Sequence, residues 1–304
     1  MNLRDDLRTL LRRDVRLSQF TTMQVGGLAN FFAEPSTEEE LFDLLEFAKS
    51  EQLPWMVLGK GSNVIFPDEG WPGLIITLIH YEQNRLHFDK EKFLASASAG
   101  IYLYRFVLAC RDQGLSGAEF LANIPGTIGG ALVMNAGFSR FKGQSSEIGD
   151  IAEEVTVLNS EGTKETLVRK DLRFSYRHSN LDGKVVLEGT FRLWHRGTDE
   201  IQKEIKSNFE YRNTEQDVRF PSSGSIFKNP GPGLPSAGQL VDQLGLKGER
   251  IGDAMVSLKH GNYMINAGKA KSSDLLALIR KVQKAVLDAT GIHLEPEVRV
   301  IEKP

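Results

Sequence analysis

The stretch GLSGAEFLANIPGTIGGALVMNAG, residues 114–137, restricts what this chain can fold into more than any other part of the sequence. Its central part, Ile124 to Ala131, joins a proline-glycine turn to small residues at positions 126, 129, 130 and 131. Residues without bulky side chains allow another group to lie directly against the backbone. The pattern therefore predicts a tight turn with something packed flat on it, either a bound ligand or a neighbouring element of the protein.

A second glycine-rich segment, VLGKGSNVIF at residues 57–66, lies between two apolar runs that predict short strands. Successive backbone N–H groups in such a loop can surround an anion. The segment matches neither GxxxxGK[ST] nor a GxGxxG that opens a helix, and a plain Gly-Ser-Asn turn explains it equally well. Together, however, the two loops fit a pyrophosphate held from two sides. Their arrangement resembles the flavin-binding domain of the p-cresol methylhydroxylase and vanillyl-alcohol oxidase type, and because neither loop contains His or Cys, non-covalent FAD is expected.

Hydrophobic periodicity predicts an α+β protein in which helices and short strands alternate irregularly. The predicted helices cover residues 36–52, 101–114, 198–216, 236–245 and 272–291, the last with a serine cap, and a hairpin is predicted to turn at Glu161-Gly162. A change in character near residue 198 suggests an FAD-binding domain at 1–197, made of two α+β subdomains that divide near residue 85. An α+β substrate-binding domain would then occupy 198–304.

Charge and composition exclude several classes of protein. The formal net charge is −3 and there is no basic run, so a nucleic acid partner is not expected. The single cysteine, Cys110, excludes an intramolecular disulfide and is predicted to be a buried helix residue. The charged N-terminus does not resemble a signal peptide, and no apolar run reaches the roughly 18–20 residues that a membrane span needs. A cytoplasmic protein, present as a monomer or a weak oligomer, is therefore expected.

Motifs in a fixed order extend the resemblance to roughly residues 20–300. They are TTMQVGG, LGKGSN, EFLANIPGTIGGALVMNAG, FSYRHSNL, SSGSIFKNP, SLKHGNYMIN and LEPEVRVI. In this order they resemble the motifs of the UDP-N-acetylenolpyruvoylglucosamine reductase family, the MurB-type flavoenzymes of peptidoglycan precursor synthesis. The length and spacing are most similar to the shorter, type II form of that family.

The resemblance implies a reaction in two halves. NADPH reduces FAD, and the flavin then passes a hydride to the enolpyruvyl ether of a UDP-sugar, which yields UDP-N-acetylmuramate. Hydride addition pushes negative charge onto C2 and the adjoining carboxylate, so the site needs a fixed cation or donor and a source of a proton. The resemblance assigns charge stabilisation to Arg177, protonation of C2 to Ser225, and donation from a neutral carboxylic acid of raised pKa to Glu297. From the residues alone, Arg177 could instead be a surface side chain, and Glu297 could pair with Arg299 at a strand edge.

The stretch PSSGSIFKNP, residues 221–230, shows no helical or strand period and is predicted to be a loop that presents Ser225. Ser222 and Ser223 are predicted to be turn residues that hydrogen-bond to local backbone. Lys228 and Asn229, three and four residues after Ser225, are expected to bind the diphosphate or the sugar of the substrate, and SLKHGN adds Lys259 and His260 as further candidates. His260 has no Cys, His or acid at ligand spacing, so no metal is expected.

The residues that the resemblance assigns to the cofactor are Gly59, Lys60, Gly61, Ser62, Asn63, Ile124, Gly126, Thr127, Gly129, Gly130, Asn135 and Gly137. Lys60 could add a charge beside the flavin pyrophosphate or point to solvent. Because the UDP-sugar and NADPH are both polyanions, they are expected to use one set of basic groups in turn, with ping-pong kinetics; these groups are Arg177, Lys228, Lys259 and Arg219. Residues 138–149 are a candidate mobile lid.

Two other functions stay open. A related flavoprotein oxidase of a sugar or hydroxy acid would share the two flavin loops without needing Arg177, Ser225 and Glu297, and its reduced form would react rapidly with oxygen. A flavin-binding homologue without catalysis would retain the fold alone, and the presence of all three residues argues against it.

Overall fold

A computed structural model describes residues 5–81, 85–141, 144–159 and 162–303. The chain divides into two compact units, each built from several segments. Unit 1 comprises Met1–Arg12, Phe32–Lys60 and Leu74–Tyr211, and unit 2 comprises Arg13–Phe31, Gly61–Gly73 and Arg212–Pro304. This division differs from the boundary expected near residue 198, because segments 13–31 and 61–73 pack with the C-terminal residues. The functional domain boundaries stay a prediction.

The helices of the described ranges are α1 (Asp5–Leu10), α2 (Glu38–Ser50), α3 (Leu103–Asp112), α4 (Ile128–Met134), α5 (Ile148–Ile151), α6 (Thr198–Glu215), α7 (Ala237–Gln243) and α8 (Ser272–Thr290). The strands are β1 (Arg12–Arg16), β2 (Leu28–Ala33), β3 (Trp55–Val57), β4 (Val64–Ile65), β5 (Trp71–Ile76), β6 (Leu86–Asp89), β7 (Leu94–Ser98), β8 (Leu115–Ser116), β9 (Gly137–Phe141), β10 (Gln144–Glu147), β11 (Ala152–Leu158), β12 (Lys164–Val168), β13 (Phe174–Ser175), β14 (His178–Ser179), β15 (Val185–Arg192), β16 (Trp194–His195), β17 (Ser222–Ser225), β18 (Arg250–Ile251), β19 (Ala254–Val256), β20 (Tyr263–Asn266) and β21 (Arg299–Val300). None of the helices within these ranges has the length and apolar character needed to cross a membrane.

A five-stranded antiparallel sheet in the order β12-β11-β15-β7-β6 forms the centre of unit 1. Helix α4 packs on β15 at Gly189, where a Cβ atom would lie 2.8 Å from Cδ1 of Leu132. The predicted hairpin is confirmed by the β11–β12 pair, although Glu161 of its turn lies outside the described residues. The sheet thus supports the helix that follows the Ile-Pro-Gly-Thr turn.

Cys110 is a buried residue of α3, as predicted. Its surroundings exclude water, and this desolvation, helped by the nearby charge of Glu119, raises the pKa of the thiol. A thiol in this state packs as a small apolar side chain and is not reactive.

In unit 2, the four-stranded sheet β17-β20-β19-β18 and the helices α7 and α8 enclose an apolar core. The predicted apolar face of α8 is confirmed, since Leu275, Leu278, Ile279, Val282 and Val286 are all buried. Gly291 ends the helix with a φ of 72°, the left-handed conformation that glycine adopts without a steric penalty.

The serine cap predicted for α8 is wrong. The N–H groups of Ser272 and Ser273 donate instead to the carboxylate of Asp68, at 2.7 Å and 3.0 Å. Burial acts to raise the pKa of Asp68, but the hydrogen bonds from Ser273 and Ser272 outweigh it and lower the pKa. A charged acceptor from a distant loop therefore satisfies the first turn of this helix.

Candidate active site

The first glycine loop follows β3, and its first glycine, Gly59, lies close to Thr127 within unit 1. A Cβ atom at Gly59 would lie 2.6 Å from Oγ1 of Thr127, so only glycine fits beside the second loop. At Gly61, in unit 2, φ is +64° and a Cβ atom would lie 2.0 Å from the carbonyl oxygen of Phe20. Both glycines are therefore required by the backbone path, whether or not a ligand is bound.

The second loop runs into α4, and Thr127 caps that helix by accepting the N–H of Gly130 at 3.5 Å. The N–H groups of Ile128 and Gly129 are also used within unit 1. Ile128 donates to Ile101 O and Gly129 donates to Ala99 O, both at 2.9 Å. Gly129 packs closely, because a Cβ atom there would lie 3.0 Å from Cβ of Ala99. For Gly129, the small-residue pattern thus reflects packing between elements.

Backbone donors are nevertheless available for a cofactor pyrophosphate. Within the part of the chain that the structure describes, the N–H groups of Gly59, Lys60, Gly61 and Ser62 make no hydrogen bond, and neither do those of Gly126 and Thr127. Such donors suit an anionic group. Within unit 1, the unused donors at 59–60 and 126–127 therefore fit the diphosphate of FAD, and in unit 2 those at 61–62 have the same chemistry.

Lys60 does not simply point to solvent. Its Nζ lies 5.0 Å from the centre of the Tyr102 ring, within the range of a cation–π interaction. Tyr102 in turn forms an isolated antiparallel bridge with Thr127. The lysine thus stays beside the second loop, where its charge could act on an anion bound there.

We expect Gly59→Ala to weaken FAD binding. The added methyl group would overlap Oγ1 of Thr127, and relieving such overpacking typically costs about 1–3 kcal/mol. If the loop moves to relieve it, the affinity for FAD falls about tenfold or more, measured by titrating the apoprotein with FAD. Gly197→Ala is the matched control, because a Cβ atom there has nothing within 4 Å. Equal affinity in the Gly59 variant and the wild type would contradict the expectation.

Arg177 lies in the two-residue turn between β13 and β14 of unit 1, where Ser175 pairs with His178. Its φ of 57° is unusual for a side chain of this size and costs roughly 1–2 kcal/mol. Nη2 of Arg177 donates to the carbonyl oxygen of Gly137 at 3.4 Å. The predicted cofactor residue Gly137 thus contacts this arginine, and Nδ2 of Asn135 donates to Ser175 O, two residues before it, at 3.0 Å. Ile124, another residue assigned to the cofactor, uses its N–H for a turn bond to Leu121 O at 3.1 Å.

Ser225 is at the end of strand β17 in unit 2, not in an irregular loop. Ser222 pairs with Ile265 and Ser225 with Tyr263, with an irregularity between them at which Gly224 has a φ of 72°. The predicted turn role of Ser222 and Ser223 is therefore wrong, because β20 supplies backbone partners that recruit them into a sheet. The carbonyl oxygen of Ser222 accepts the hydroxyl of Thr22 at 2.7 Å.

Asn262, which sequence reasoning did not single out, holds the residues after Ser225. Its Oδ1 accepts the N–H of Phe227 at 2.9 Å and its Nδ2 donates to the carbonyl oxygen of Phe227 at 2.8 Å. Its backbone carbonyl accepts the N–H of Ile226 at 2.9 Å. All three residues are buried, so the backbone beside Ser225 has little freedom to move.

Glu297 lies next to the same segment. Its N–H donates to the carbonyl oxygen of Ile226 at 2.7 Å, and Ile226 directly follows Ser225. Asn63 of the first loop makes two hydrogen bonds to this part of the chain. Its Nδ2 donates to Glu297 O at 3.0 Å, and its backbone carbonyl accepts the N–H of Arg299 at 3.0 Å. Unit 2 therefore brings Ser225, Glu297 and Asn63 together.

The residues predicted to bind substrate already have partners inside unit 2. Lys228 pairs with Glu295 at 2.5 Å, and Arg219 pairs with Asp217 at 3.0 Å. Nζ of Lys259 donates to the carbonyl oxygen of Asn213, and Oδ1 of Asn229 accepts the N–H of Ala237 at 3.1 Å. An anionic substrate would have to share or replace these contacts.

His260 packs edge-on against Tyr263, with ring centres 4.8 Å apart, and its Nδ1 accepts the N–H of Asn262 at 3.1 Å. Desolvation lowers the pKa of His260, and the positive charge of Lys247 lowers it further, against the opposing effect of Glu215 and Asp242. The imidazole is thus held in its neutral form, which is the form that can accept this hydrogen bond.

The lowered pKa makes part of the stability pH-dependent. Because the folded protein binds this proton less readily than the unfolded chain, the contribution is present above the unfolded pKa of about 6.5 and is lost as the pH falls below it. We expect His260→Gln to lose less free energy of unfolding than the wild type between about pH 7.5 and about pH 5.5, measured by urea titration. His293→Gln, at an exposed position, should retain the wild-type loss. Identical losses in the His260 variant and the wild type would refute the assignment.

Comparisons with known proteins agree with these observations. Residues 29–167 match the model of an FAD binding domain, and residues 216–301 match that of the C-terminal domain of UDP-N-acetylenolpyruvoylglucosamine reductase. A reductase of this name from Synechococcus sp. (strain RCC307) is 42% identical over 293 residues, which cover 95% of this chain and 93% of the relative. One from Pelobacter propionicus is 38% identical over 299 residues, covering 97% of each chain.

A solved structure gives the same result. The crystal structure of UDP-N-acetylenolpyruvylglucosamine reductase (MurB) from Thermus caldophilus has a TM-score of 0.79 and 36% identity, and the match covers 96% of this chain and 100% of that one. The predicted α+β fold class, with its FAD-binding domain of the p-cresol methylhydroxylase/vanillyl-alcohol oxidase type, is confirmed. The chain belongs to the UDP-N-acetylenolpyruvoylglucosamine reductase family, whose members are FAD-dependent oxidoreductases of peptidoglycan synthesis.

Proposed function

We propose that this protein uses NADPH to reduce the enolpyruvyl ether of UDP-N-acetylglucosamine to UDP-N-acetylmuramate. The observation that carries the proposal is the framework around Ile226, whose backbone joins the serine at 225 to the glutamate at 297. The addition of hydride to an enolpyruvyl ether requires a proton source and a group that stabilises negative charge, and this framework holds a serine and a glutamate in adjoining segments. When bound, FAD would supply the hydride chemistry that links NADPH to the vinyl carbon.

The roles of the three residues follow from the charge that the reaction creates. The guanidinium of Arg177 stays protonated and can grip the substrate carboxylate with two parallel hydrogen bonds as negative charge builds up. The hydroxyl of Ser225 gives its proton to C2, and a neutral Glu297 donates a hydrogen bond to the developing charge. The held backbone at Ile226 and Phe227 supports this assignment, because a proton donor must be placed to within a fraction of an ångström.

The deciding experiment is an anaerobic titration followed by absorbance. The purified protein should be yellow, should bleach with NADPH, and should recolour when the enolpyruvyl UDP-sugar is added. Initial-rate plots should be parallel, because the two polyanions occupy the basic groups in turn. Intersecting plots would argue against the ping-pong order, and rapid recolouring by oxygen with slow recolouring by the nucleotide would favour the oxidase. A colourless protein that FAD does not reconstitute would favour the non-catalytic alternative.

A further inference from the structure

The guanidinium of Arg177 is contacted by Glu147, a residue for which no role follows from the sequence motifs. Nη1 of Arg177 lies 3.6 Å from Oε1 of Glu147, and the two side chains are only 18% and 21% exposed. Cζ of the arginine also lies 4.8 Å from the centre of the Tyr176 ring. Together with the bond from Nη2 to Gly137 O, these contacts hold the guanidinium in one place.

Glu147 is itself oriented through its second oxygen. Oε2 accepts a hydrogen bond from Nδ2 of Asn135 at 2.6 Å, so the two oxygens of one carboxylate face an amide and a guanidinium. A carboxylate bound in this way cannot rotate without breaking one of the two contacts. The position of Oε1 beside Arg177 is therefore set by Asn135.

The side chain of Asn135 is itself held in place by burial and by hydrogen bonds. It is 1% exposed and ends α4 in the left-handed conformation, with φ 44° and ψ 56°. Its Nδ2 also donates to Ser175 O at 3.0 Å, and its Oδ1 accepts the N–H of Gly149 at 3.0 Å. Gly149 must be glycine here, because a Cβ atom would lie 2.8 Å from Oδ1 of Asn135. The helix that follows the second loop is thus tied to the turn that carries Arg177.

We propose that Glu147 is a positioning residue for Arg177, and that Asn135 fixes the carboxylate of Glu147 for this purpose. The inference rests on the proposed function of Arg177. An arginine has several rotatable bonds, and gripping a substrate carboxylate with two parallel bonds requires one orientation of its plane. The value of the pair for the reaction lies in orienting the guanidinium.

The test is Glu147→Gln, which keeps the size of the side chain and removes its charge. Oxidation of the reduced flavin by the enolpyruvyl nucleotide should slow by about 10- to 100-fold, the effect of a misplaced group in the site. Reduction of the flavin by NADPH should stay within about twofold of the wild type, because the negative charge that Arg177 is proposed to stabilise develops only on the enolpyruvyl nucleotide. Glu153→Gln is the matched control, since it breaks another arginine pair of unit 1, with Arg192 at 2.9 Å, and should change neither rate.

A double-mutant cycle with Arg177→Ala separates positioning from a merely structural role. If Glu147 acts through Arg177, adding Glu147→Gln to Arg177→Ala should cost less than about twofold further. Effects that multiply in the double variant, or a Glu147→Gln variant that slows both half-reactions alike, would overturn the positioning role. A wild-type reoxidation rate in Arg177→Ala alone would remove the proposed role of Arg177 and this inference with it. Loss in Arg177→Ala with wild-type rates in Glu147→Gln would overturn only the inference.

Discussion

Ser225→Ala is expected to abolish reoxidation of the reduced flavin by the enolpyruvyl nucleotide while leaving its reduction by NADPH intact. Removing a general acid typically slows the step that it serves by about 10²- to 10⁴-fold. The substitution should not disturb the site, because Ser225 is held through its strand register with Tyr263 and through the bonds from Asn262 to the residues that follow. Stopped-flow absorbance of the flavin measures the two half-reactions separately.

The neighbouring serines provide controls for this prediction. Ser222→Ala should leave both half-reactions at wild-type rates, because its contact with Thr22 uses the backbone carbonyl, which alanine retains. Ser223→Ala should also be silent, since its buried Oγ makes no hydrogen bond to any residue that the structure describes. Normal reoxidation in Ser225→Ala would show that the proton comes from another group, and a loss in all three variants would indicate damage to the strand.

Asn262→Ala is expected to destabilise the protein strongly. It removes both hydrogen bonds to the backbone of Phe227, leaving a buried N–H and a buried carbonyl without partners. Each unsatisfied buried group costs about 1–3 kcal/mol, so the free energy of unfolding should fall by about 2–6 kcal/mol. Denaturant unfolding monitored by circular dichroism measures the change.

Asn229→Ala is the matched control for stability, because it removes the single hydrogen bond that Oδ1 of this exposed asparagine accepts from Ala237 N–H in the first turn of α7. Its cost should be about 1 kcal/mol. A similar loss in both variants would mean that the Asn262 amide is not the main support of this segment. Asn262→Ala protein that remains folded should also lose turnover, because the backbone that Asn262 holds follows Ser225 directly and accepts the N–H of Glu297.

Part of the fold could be predicted because its signals are local. The apolar face of α8 follows from a helical repeat within one segment, and its end follows from the left-handed conformation of Gly291. The capping box at the start of α2 is also a local signal, because Thr37 and Glu40, which form it, lie within one turn of each other. Gly59 and Gly61 could be singled out because only glycine tolerates so close an approach of another group.

Other residues of the site carry no local signal. Glu147 lies in the segment expected to form a lid, a function that stays a prediction with residues 142–143 outside the described ranges. Its proximity to Arg177 depends on two strand pairs and on the end of α4. Asn262 resembles an ordinary turn residue until Phe227 is placed beside it. Nothing in the neighbouring residues of either could have identified its partner.

By itself, the sequence determined the helices, the glycine turns and, through ordered motifs, the family. These depend on conformational preferences of neighbouring residues, which the chain expresses wherever it folds. The tertiary structure alone decided that Ser222–Ser225 form a strand, that Asp68 caps α8, and that Glu147 contacts Arg177. In each case a polar group or an edge of backbone is satisfied by a partner far away in the sequence. Hydrogen bonds and charges act over a few ångströms, so such partners exist only once the packed elements have brought them together.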